Sequence, residues 1–256
     1  MEMRKICSGC RDGVDFEIPF AMAFQPIVDT LTGKPFAYEA LIRGTDGAGA
    51  ASILSRVTDA NRYSFDQACR VKAIESAMAA GIMADDARLS INFLPNAVYS
   101  PLACIQLTLR TAKAVGMPTD RLIFEFTENE HMGSPEHVAS IIETYQQIGF
   151  STAIDDFGAG YSGLDMFARF RPDEIKLDME LVRGIDTDRR RQAIVRAVVQ
   201  MCADLETLLI AEGIETADEA ATLRRLGVRY HQGFWYARPA LERLPQLNPA
   251  CLLRAA

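Results

Sequence analysis

The chain has 256 residues, with 27 Lys and Arg against 34 Asp and Glu, so its formal net charge is −7. This length suits one large domain or two small ones. Its 49% hydrophobic and 24% charged residues exclude a disordered or collagen-like chain. Binding to nucleic acid polymers needs clustered positive charge, so the acidic balance argues against such partners.

The sequence predicts neither a membrane span nor an export signal. The longest uncharged stretch, Leu89–Leu109, contains two asparagines and two prolines, whereas a bilayer helix needs about 20 mostly apolar residues. Residues 1–18 are polar and are expected to form a loose lead-in. The six cysteines are scattered, unlike the disulfide framework of a small secreted domain. We therefore expect a cytoplasmic protein.

The lead-in contains one C-x-x-C pair, Cys7 and Cys10. A single pair supplies only two of the ligands that a structural zinc site needs. Three interpretations stay open: an ordinary tail, a redox or regulatory pair, and part of a metal site.

From residue 21 onward, strand-like and helix-like segments alternate. The strand-like runs lie at residues 21–28, 35–42, 89–93, 122–126, 152–154, 174–177, 208–211 and 227–231. Apolar spacing, N-capping residues and closing glycines predict helices at 66–80, 135–148 and 188–205, and a capping box at 216–219 begins another. This alternation predicts an α/β fold, a (β/α)8 barrel, with a doubly wound open sheet as the alternative.

The first two strands depart from a regular barrel. Only the short turn of residues 29–33 joins them. Parallel neighbours need a crossover of about a dozen residues or more. We therefore expect one antiparallel strand near the start of the barrel.

Ionisable and amide side chains collect where the predicted strands end, which is the catalytic end of a barrel. Five strands bring carboxylates, while only Lys176 and Arg43 bring positive charge there. Divalent cations would relieve the repulsion, and the all-oxygen donors suit Mg²⁺ or Mn²⁺. The Asp155-Asp156 doublet could bridge two ions, as in phosphodiester cleavage. Single-metal enolisation and acids that serve only solubility remain alternatives.

Seven short motifs now point to a known family. They are Glu39-Ala40-Leu41, Ile91–Pro95, Phe124–Glu128, Asp155–Ser162, Lys176–Asp178, Glu212–Glu215 and Gln232-Gly233. In this order they resemble the EAL-domain cyclic di-GMP phosphodiesterases, from about Phe20 to Leu247. The resemblance implies a lead-in of residues 1–18 followed by an EAL domain over residues 19–256.

The resemblance also implies roles for individual residues. The implied metal ligands are Glu39, Asn92, Glu125, Asp155, Asp156 and Glu212. The residues implied in catalysis are Lys176, which would orient the attacking water, Glu212 as ligand or general base, Gln232 near that water, and Glu39. Substrate contacts are implied for Gln25, Arg43 and Glu215, and Glu128 would anchor the loop of residues 156–162.

The implied activity is hydrolysis of cyclic di-GMP, a bacterial second messenger, to linear 5′-pGpG by a water that two Mg²⁺ or Mn²⁺ ions activate. Because every implied ligand is kept, we expect an enzyme. The alternative is a cyclic di-GMP receptor or interaction module without turnover. The resemblance further implies a homodimer formed through residues 160–205, and a regulatory protein is a further candidate partner.

Overall fold

The computed structural model describes residues 16–127, 134–160 and 163–252. Nine strands within these residues form one sheet: β1 (Phe20–Asp29), β2 (Lys34–Gly44), β3 (Arg88–Asn92), β4 (Leu122–Thr127), β5 (Ser151–Phe157), β6 (Glu174–Leu177), β7 (Leu208–Ala211), β8 (Tyr230–Gln232) and β9 (Ala240–Leu241). Pairing runs from β2 through β8 to β1, and β1 also pairs with β2, so the first eight strands close a barrel. This confirms the predicted barrel and excludes the open sheet.

The first strand runs against the others. β1 is antiparallel to β2, with Phe20 opposite Gly44 and Asp29 opposite Lys34, and it is antiparallel to β8. The pairs from β2 to β8 are parallel. The short turn therefore has the predicted consequence. The two-residue β9 adds to β1 from outside the barrel.

Ten α-helices lie among the described residues. They are α1 (Ala50–Leu54), α2 (Arg62–Ala79), α3 (Pro101–Cys104), α4 (Gln106–Val115), α5 (Pro135–Ile148), α6 (Gly163–Arg169), α7 (Met179–Val182), α8 (Arg189–Asp204), α9 (Ala217–Leu226) and α10 (Pro249–Leu252). The helices predicted at 66–80, 135–148 and 188–205 correspond to α2, α5 and α8. No described helix combines the length and apolarity needed to cross a bilayer.

The sequence placed the last barrel strand three residues too early. Gly227 ends α9 in the left-handed conformation, with φ 98°, and β8 begins only at Tyr230. Here the closing glycine belongs to the helix. The capping box that begins the same helix is present as predicted, with Thr216 and Glu219 bonding reciprocally.

Two apolar layers hold the fold together. The larger core lies between the strands and the surrounding helices and contains, among others, Phe24, Phe124, Tyr145 and Ile175. The smaller cluster fills the inside of the barrel and consists of Ile27, Ala37, Ile123, Ala153, Ile210 and Tyr230. This inner layer fills the barrel interior on the amino-end side of the polar side chains at the strand ends.

The turn after β8 predicts a sharp stability effect at Gly233. A Cβ there would lie 2.1 Å from the carbonyl oxygen of Ile214, and backbone atoms cannot move aside as a flexible side chain can. Gly47 is a matched control because its φ is +85° and a Cβ there would meet nothing within 4 Å. We expect Gly47→Ala to cost about 1 kcal/mol and Gly233→Ala at least about 2 kcal/mol more. Urea unfolding measures both, and similar costs would contradict the steric argument.

Candidate active site

The strands deliver the site through their two-residue side-chain period. In several parallel strands, an inner-layer residue is followed two positions later by a polar residue, one level nearer the carboxyl end. The pairs are Ala37 and Glu39, Ile123 and Glu125, Ala153 and Asp155, Ile210 and Glu212, and Tyr230 and Gln232. The antiparallel β1 reverses the order, with Gln25 two positions before Ile27. A polar layer therefore lies directly above the apolar one.

Lys176 occupies the centre of this polar layer. Its ammonium nitrogen lies 2.7 Å from Glu212 Oε1, 2.9 Å from Glu125 Oε2, 3.2 Å from Asp155 Oδ1 and 3.4 Å from Glu39 Oε2. Lys176 and Glu125 have no exposed surface. The four carboxylates come from β2, β4, β5 and the end of β7, so this single cation ties together strands from around the barrel.

Amides complete the surroundings of Glu39. Gln232 Nε2 donates to Glu39 Oε2 at 2.6 Å, and Asn92 Nδ2 donates to Glu39 Oε1 at 2.9 Å. Gln232 Nε2 also lies 3.3 Å from Gln25 Oε1, and Gln25 Nε2 donates to the carbonyl of Ala237. The structure thus brings the three predicted amides together, with Gln232 and Asn92 bonded to Glu39 and Gln25 bonded to Gln232.

Two features beside the predicted ligands were not predicted from the sequence, namely the contact of Ser90 with Glu125 and the backbone conformation of Asp156. Ser90 Oγ donates a short hydrogen bond to Glu125 Oε1. Ser90 stands two residues before Asn92 on β3, so the strand period would have found it. Asp156 has a positive φ of 57°, and its backbone N–H donates to Asp155 Oδ1 at 2.9 Å. Neighbouring strand residues normally point to opposite faces, and this local turn keeps Asp156 beside Asp155.

Burial opposes ionisation of most of these carboxyl groups. It raises the pKa of Glu125 to about 8 against the opposing charge of Lys176, and the charges of Glu39 and Asp155 add to the rise. Burial, then the neighbouring Asp155 and Asp178, raise the pKa of Asp156 to about 6. The pKa values of Asp155 and Glu212 are also raised, chiefly by burial.

Glu39 and Lys176 respond in the opposite sense. Burial would raise the pKa of Glu39, but the charge of Lys176 and the hydrogen bonds from Gln232 and Asn92 lower it overall. Burial would likewise lower the pKa of Lys176, but the surrounding carboxylates, led by Asp155, hold it well above its usual value. Lys176 is therefore a permanent cation.

The carboxylates fall into two groups that suit divalent cations. Oxygens of Glu39, Glu125 and Asp155 lie within 4.8 Å of one another, and so do oxygens of Asp155, Asp156 and Glu212. Asp155 belongs to both groups, so a pair of ions could share it. The two groups contain five carboxyl groups and only one ammonium lies among them, so full ionisation would leave excess negative charge that cations could offset. Hard oxygen donors match Mg²⁺ or Mn²⁺. The residues present thus fit a two-cation site.

A cavity of about 300 Å³ opens above the polar layer. Its lining includes Gln25, Arg43 and Glu215, the three residues for which substrate contacts were predicted. Arg43 also donates to the carbonyl of Ile42 at 2.7 Å. Phe234 and Pro239 add an apolar wall.

Two charged residues of the cavity wall, Asp178 and Arg183, were given no individual role from the sequence. Asp178 ends the predicted motif Lys176–Asp178 and caps α7 by accepting from the N–H of Glu180. Arg183 follows the short α7, and no periodicity in the sequence indicates that it reaches the cavity.

Some predicted residues lie outside the described part of the chain. They are Glu128, which was expected to anchor a loop, residues 161 and 162 of that loop, and the pair Cys7 and Cys10. Their predicted roles stay predictions.

Comparisons with known proteins agree with this fold. A c-di-GMP-bound crystal structure of a standalone versatile EAL protein from Vibrio cholerae O395 superimposes with a TM-score of 0.89 at 46% identity, covering 93% of this chain and 99% of that one. The manganese/cy-diGMP complex of Klebsiella pneumoniae BlrP1 at pH 6 gives a TM-score of 0.84 at 34% identity, covering 90% of this chain and 58% of that one.

Sequence comparison finds relatives of the same kind. The Escherichia coli K12 cyclic di-GMP phosphodiesterase PdeR is 42% identical over 115 residues, which are 45% of this chain and 17% of PdeR. The chain spans about half or less of the length of the curated relatives it matches first. Residues 18–239 match the EAL domain family. The chain therefore belongs to the EAL domain family.

Proposed function

We propose that this chain is a metal-dependent phosphodiesterase that hydrolyses cyclic di-GMP to linear 5′-pGpG. The observation that carries the proposal is the buried Lys176 inside a ring of four carboxylates, at the carboxyl end of a closed barrel. The name of PdeR and the ligands of the Vibrio cholerae and BlrP1 structures support the choice of substrate.

The proposed cation ligands follow from the two carboxylate groups. Glu39, Glu125 and Asp155, with Asn92 beside them, would hold one cation, and Asp155, Asp156 and Glu212 would hold the other. Two such cations, when bound, supply charge neutralisation at the scissile phosphate and a lower pKa for the attacking water. The manganese complex of BlrP1, a protein that this chain resembles, supports a divalent metal as the cofactor.

The chain's own residues would orient the reactants. Lys176 Nζ fixes the carboxylates at 2.7–3.4 Å and would donate to the attacking water. Gln232 would orient Glu39 and the attacking water relative to each other, since its amide already donates to Glu39. Glu212, at the edge of the cavity, would accept a proton from that water. Arg43 would contact a phosphate, because phosphate oxygens match a guanidinium.

The first prediction tests activity and site together. Wild-type protein incubated with cyclic di-GMP and Mn²⁺ or Mg²⁺ should form pGpG, and chelator should stop this. Glu39→Ala should lower the rate at least about 100-fold, because it removes a carboxylate that both the cation and Lys176 contact. Chromatography of the nucleotides measures both effects.

The control lies at the opposite end of β4. Asp120→Asn changes an exposed carboxylate before that strand and should keep wild-type activity. Binding of intact cyclic di-GMP without product under all metal conditions would reject the enzyme and favour the receptor. Neither binding nor product would reject both functions.

A second prediction separates catalysis from metal binding. Lys176→Met removes a buried cation among carboxylates, so Mn²⁺ affinity should be kept or increased. The rate of pGpG formation should fall by about 100-fold or more, because the water loses its positioned donor. Calorimetric Mn²⁺ titration and product assays measure the two effects. The exposed Lys113→Met is the control, and a parallel loss of Mn²⁺ binding in Lys176→Met would contradict the assignment.

A third prediction concerns pH. Because the folded pKa of Glu125 is about 8 against an ordinary value near 4.5, the folded state holds extra protons between these values. The free energy of unfolding in chelator should therefore fall as pH rises from 5 to 8. Mn²⁺ should flatten this slope, because the cation replaces the protons that keep the carboxyl groups neutral. Urea unfolding at several pH values measures the slope.

The control for the pH prediction is Glu174, a buried residue paired with Arg88 and placed one level below Lys176. Burial raises its pKa to about 7 as well, but it belongs to neither carboxylate group. Glu174→Gln should therefore reduce the slope equally with and without Mn²⁺. A wild-type slope that Mn²⁺ leaves unchanged would count against a cation at Glu125.

Further parts of the proposal concern assembly and context. We retain the expectation of a homodimer through residues 160–205, where Leu164 and Ile194 are exposed apolar side chains. Sedimentation of a monomer at high micromolar concentration, with and without substrate, would contradict it. The cytoplasmic location, a regulatory partner and the division into residues 1–18 and 19–256 stay predictions.

A further inference from the structure

One buried carboxylate joins two separate segments of the cavity wall. Glu219, in the first turn of α9, is only 6% exposed. Its Oε1 accepts from the backbone N–H of Gly184 at 2.9 Å, and its Oε2 accepts from the N–H groups of Glu215 and Thr216, both at 3.0 Å. Gly184 follows α7, whereas Glu215 follows β7.

Helix capping explains only part of this arrangement. The bonds between Glu219 and Thr216 form a capping box. The bond to Gly184 crosses 35 residues of sequence and contributes nothing to the helix start. Burial opposes ionisation of Glu219, but the three N–H donors lower its pKa overall, so the carboxylate accepts all three as an anion.

The two joined segments carry an ion pair at the rim of the cavity. Arg183, the residue before Gly184, lies 3.0 Å from Glu215 Oε1, and both side chains line the cavity. They are 50% and 47% exposed. Exposed ion pairs contribute at most about 1 kcal/mol and do not hold long side chains in place by themselves. The position of this pair must therefore come from its backbone.

The peptide between Arg183 and Gly184 is held at both of its polar atoms. Glu219 accepts from the following N–H, and Arg191 donates a short hydrogen bond to the carbonyl of Arg183. Glu219 holds the N–H of Glu215 directly. Both members of the ion pair thus depend on the same carboxylate, which does not itself line the cavity.

We propose that Glu219 is a positioning residue that fixes the Arg183–Glu215 pair at the cavity rim and thereby sets affinity for the dinucleotide. This rests on the proposed function. The guanidinium of Arg183 would be preorganised to contact an anionic dinucleotide. A preorganised site binds more tightly because less conformational entropy is lost on binding. Glu219 lies outside the carboxylate groups around Lys176, so it should affect substrate affinity and leave the chemical step unchanged.

The test uses an isosteric variant and a control at the N-cap of the same helix. Glu219→Gln replaces one carboxylate oxygen by an NH₂ group, which cannot accept from a backbone N–H. The variant therefore loses part of the three backbone bonds to Gly184, Glu215 and Thr216. Thr216→Ala removes the hydroxyl that accepts from the N–H of Glu219 but leaves the three backbone bonds to the Glu219 carboxylate. Both variants weaken the start of α9, and only Glu219→Gln should loosen the rim.

Cyclic di-GMP binding in chelator, measured by calorimetry, gives an affinity without turnover. We expect Glu219→Gln to raise Kd and KM about tenfold, the loss expected for one or two hydrogen bonds, with kcat within about twofold. Thr216→Ala should leave Kd and KM unchanged. Hydrogen exchange at the Gly184 amide should speed up in Glu219→Gln alone.

A double-mutant cycle tests whether Glu219 acts through Arg183. In an Arg183→Ala background, Glu219→Gln should lower affinity much less than in the wild type, because coupled residues are not additive. Equal effects of Glu219→Gln and Thr216→Ala, full additivity, or a fall in kcat with unchanged KM would each overturn the positioning role. If the wild type binds and hydrolyses cyclic di-GMP and Glu219→Gln has the same Kd and KM, this inference alone is rejected. Wild type that neither binds nor hydrolyses the dinucleotide rejects the proposed function as well.

Discussion

A buried ammonium cannot stay charged in an apolar interior without anionic partners, and the polar layer at the carboxyl end of this barrel satisfies that constraint. Lys176 is fully buried and has four carboxylates within 3.4 Å. The partners outnumber it, so full ionisation of all four would leave a surplus of negative charge. The carboxyl groups that stabilise the charge of Lys176 are therefore the same groups that could hold divalent cations. Barrel closure is essential to this, because the carboxylates come from strands that meet only when the sheet closes.

Much of the polar layer could be predicted because it follows from side-chain alternation alone. An apolar residue and a carboxylate two positions apart, as in Ile123 and Glu125 or Ala153 and Asp155, place one side chain in the inner cluster and the other above it. The short turn between the first strands likewise fixed their antiparallel pairing. Identification of individual roles came from the resemblance to the EAL family, since spacing alone left enolisation and solubility open.

The parts that sequence reasoning missed depend on connections between strands. Asp156 stays beside Asp155 only because its backbone has a positive φ, which no strand pattern indicates. Arg183 reaches the cavity from the end of a four-residue helix. Glu219 was recognised as a capping residue, but its bond to Gly184 joins residues far apart in sequence. The start of β8 was misplaced because Gly227 ends a helix. The local sequence therefore predicts the helices and strands better than it predicts the contacts between loops.

The reversed first strand also determines where the polypeptide enters the barrel. In a regular parallel barrel, the amino end of every strand lies on the face remote from the catalytic residues. Here Phe20 pairs with Gly44, at the carboxyl end of β2, so the chain enters on the face that carries the carboxylate site and then runs through the wall beside Glu39. Phe16 already packs against Phe20 and Phe65. The described residues before β1, Phe16–Pro19, thus lead into the barrel from the carboxyl-end face, directly into the strand that carries Gln25.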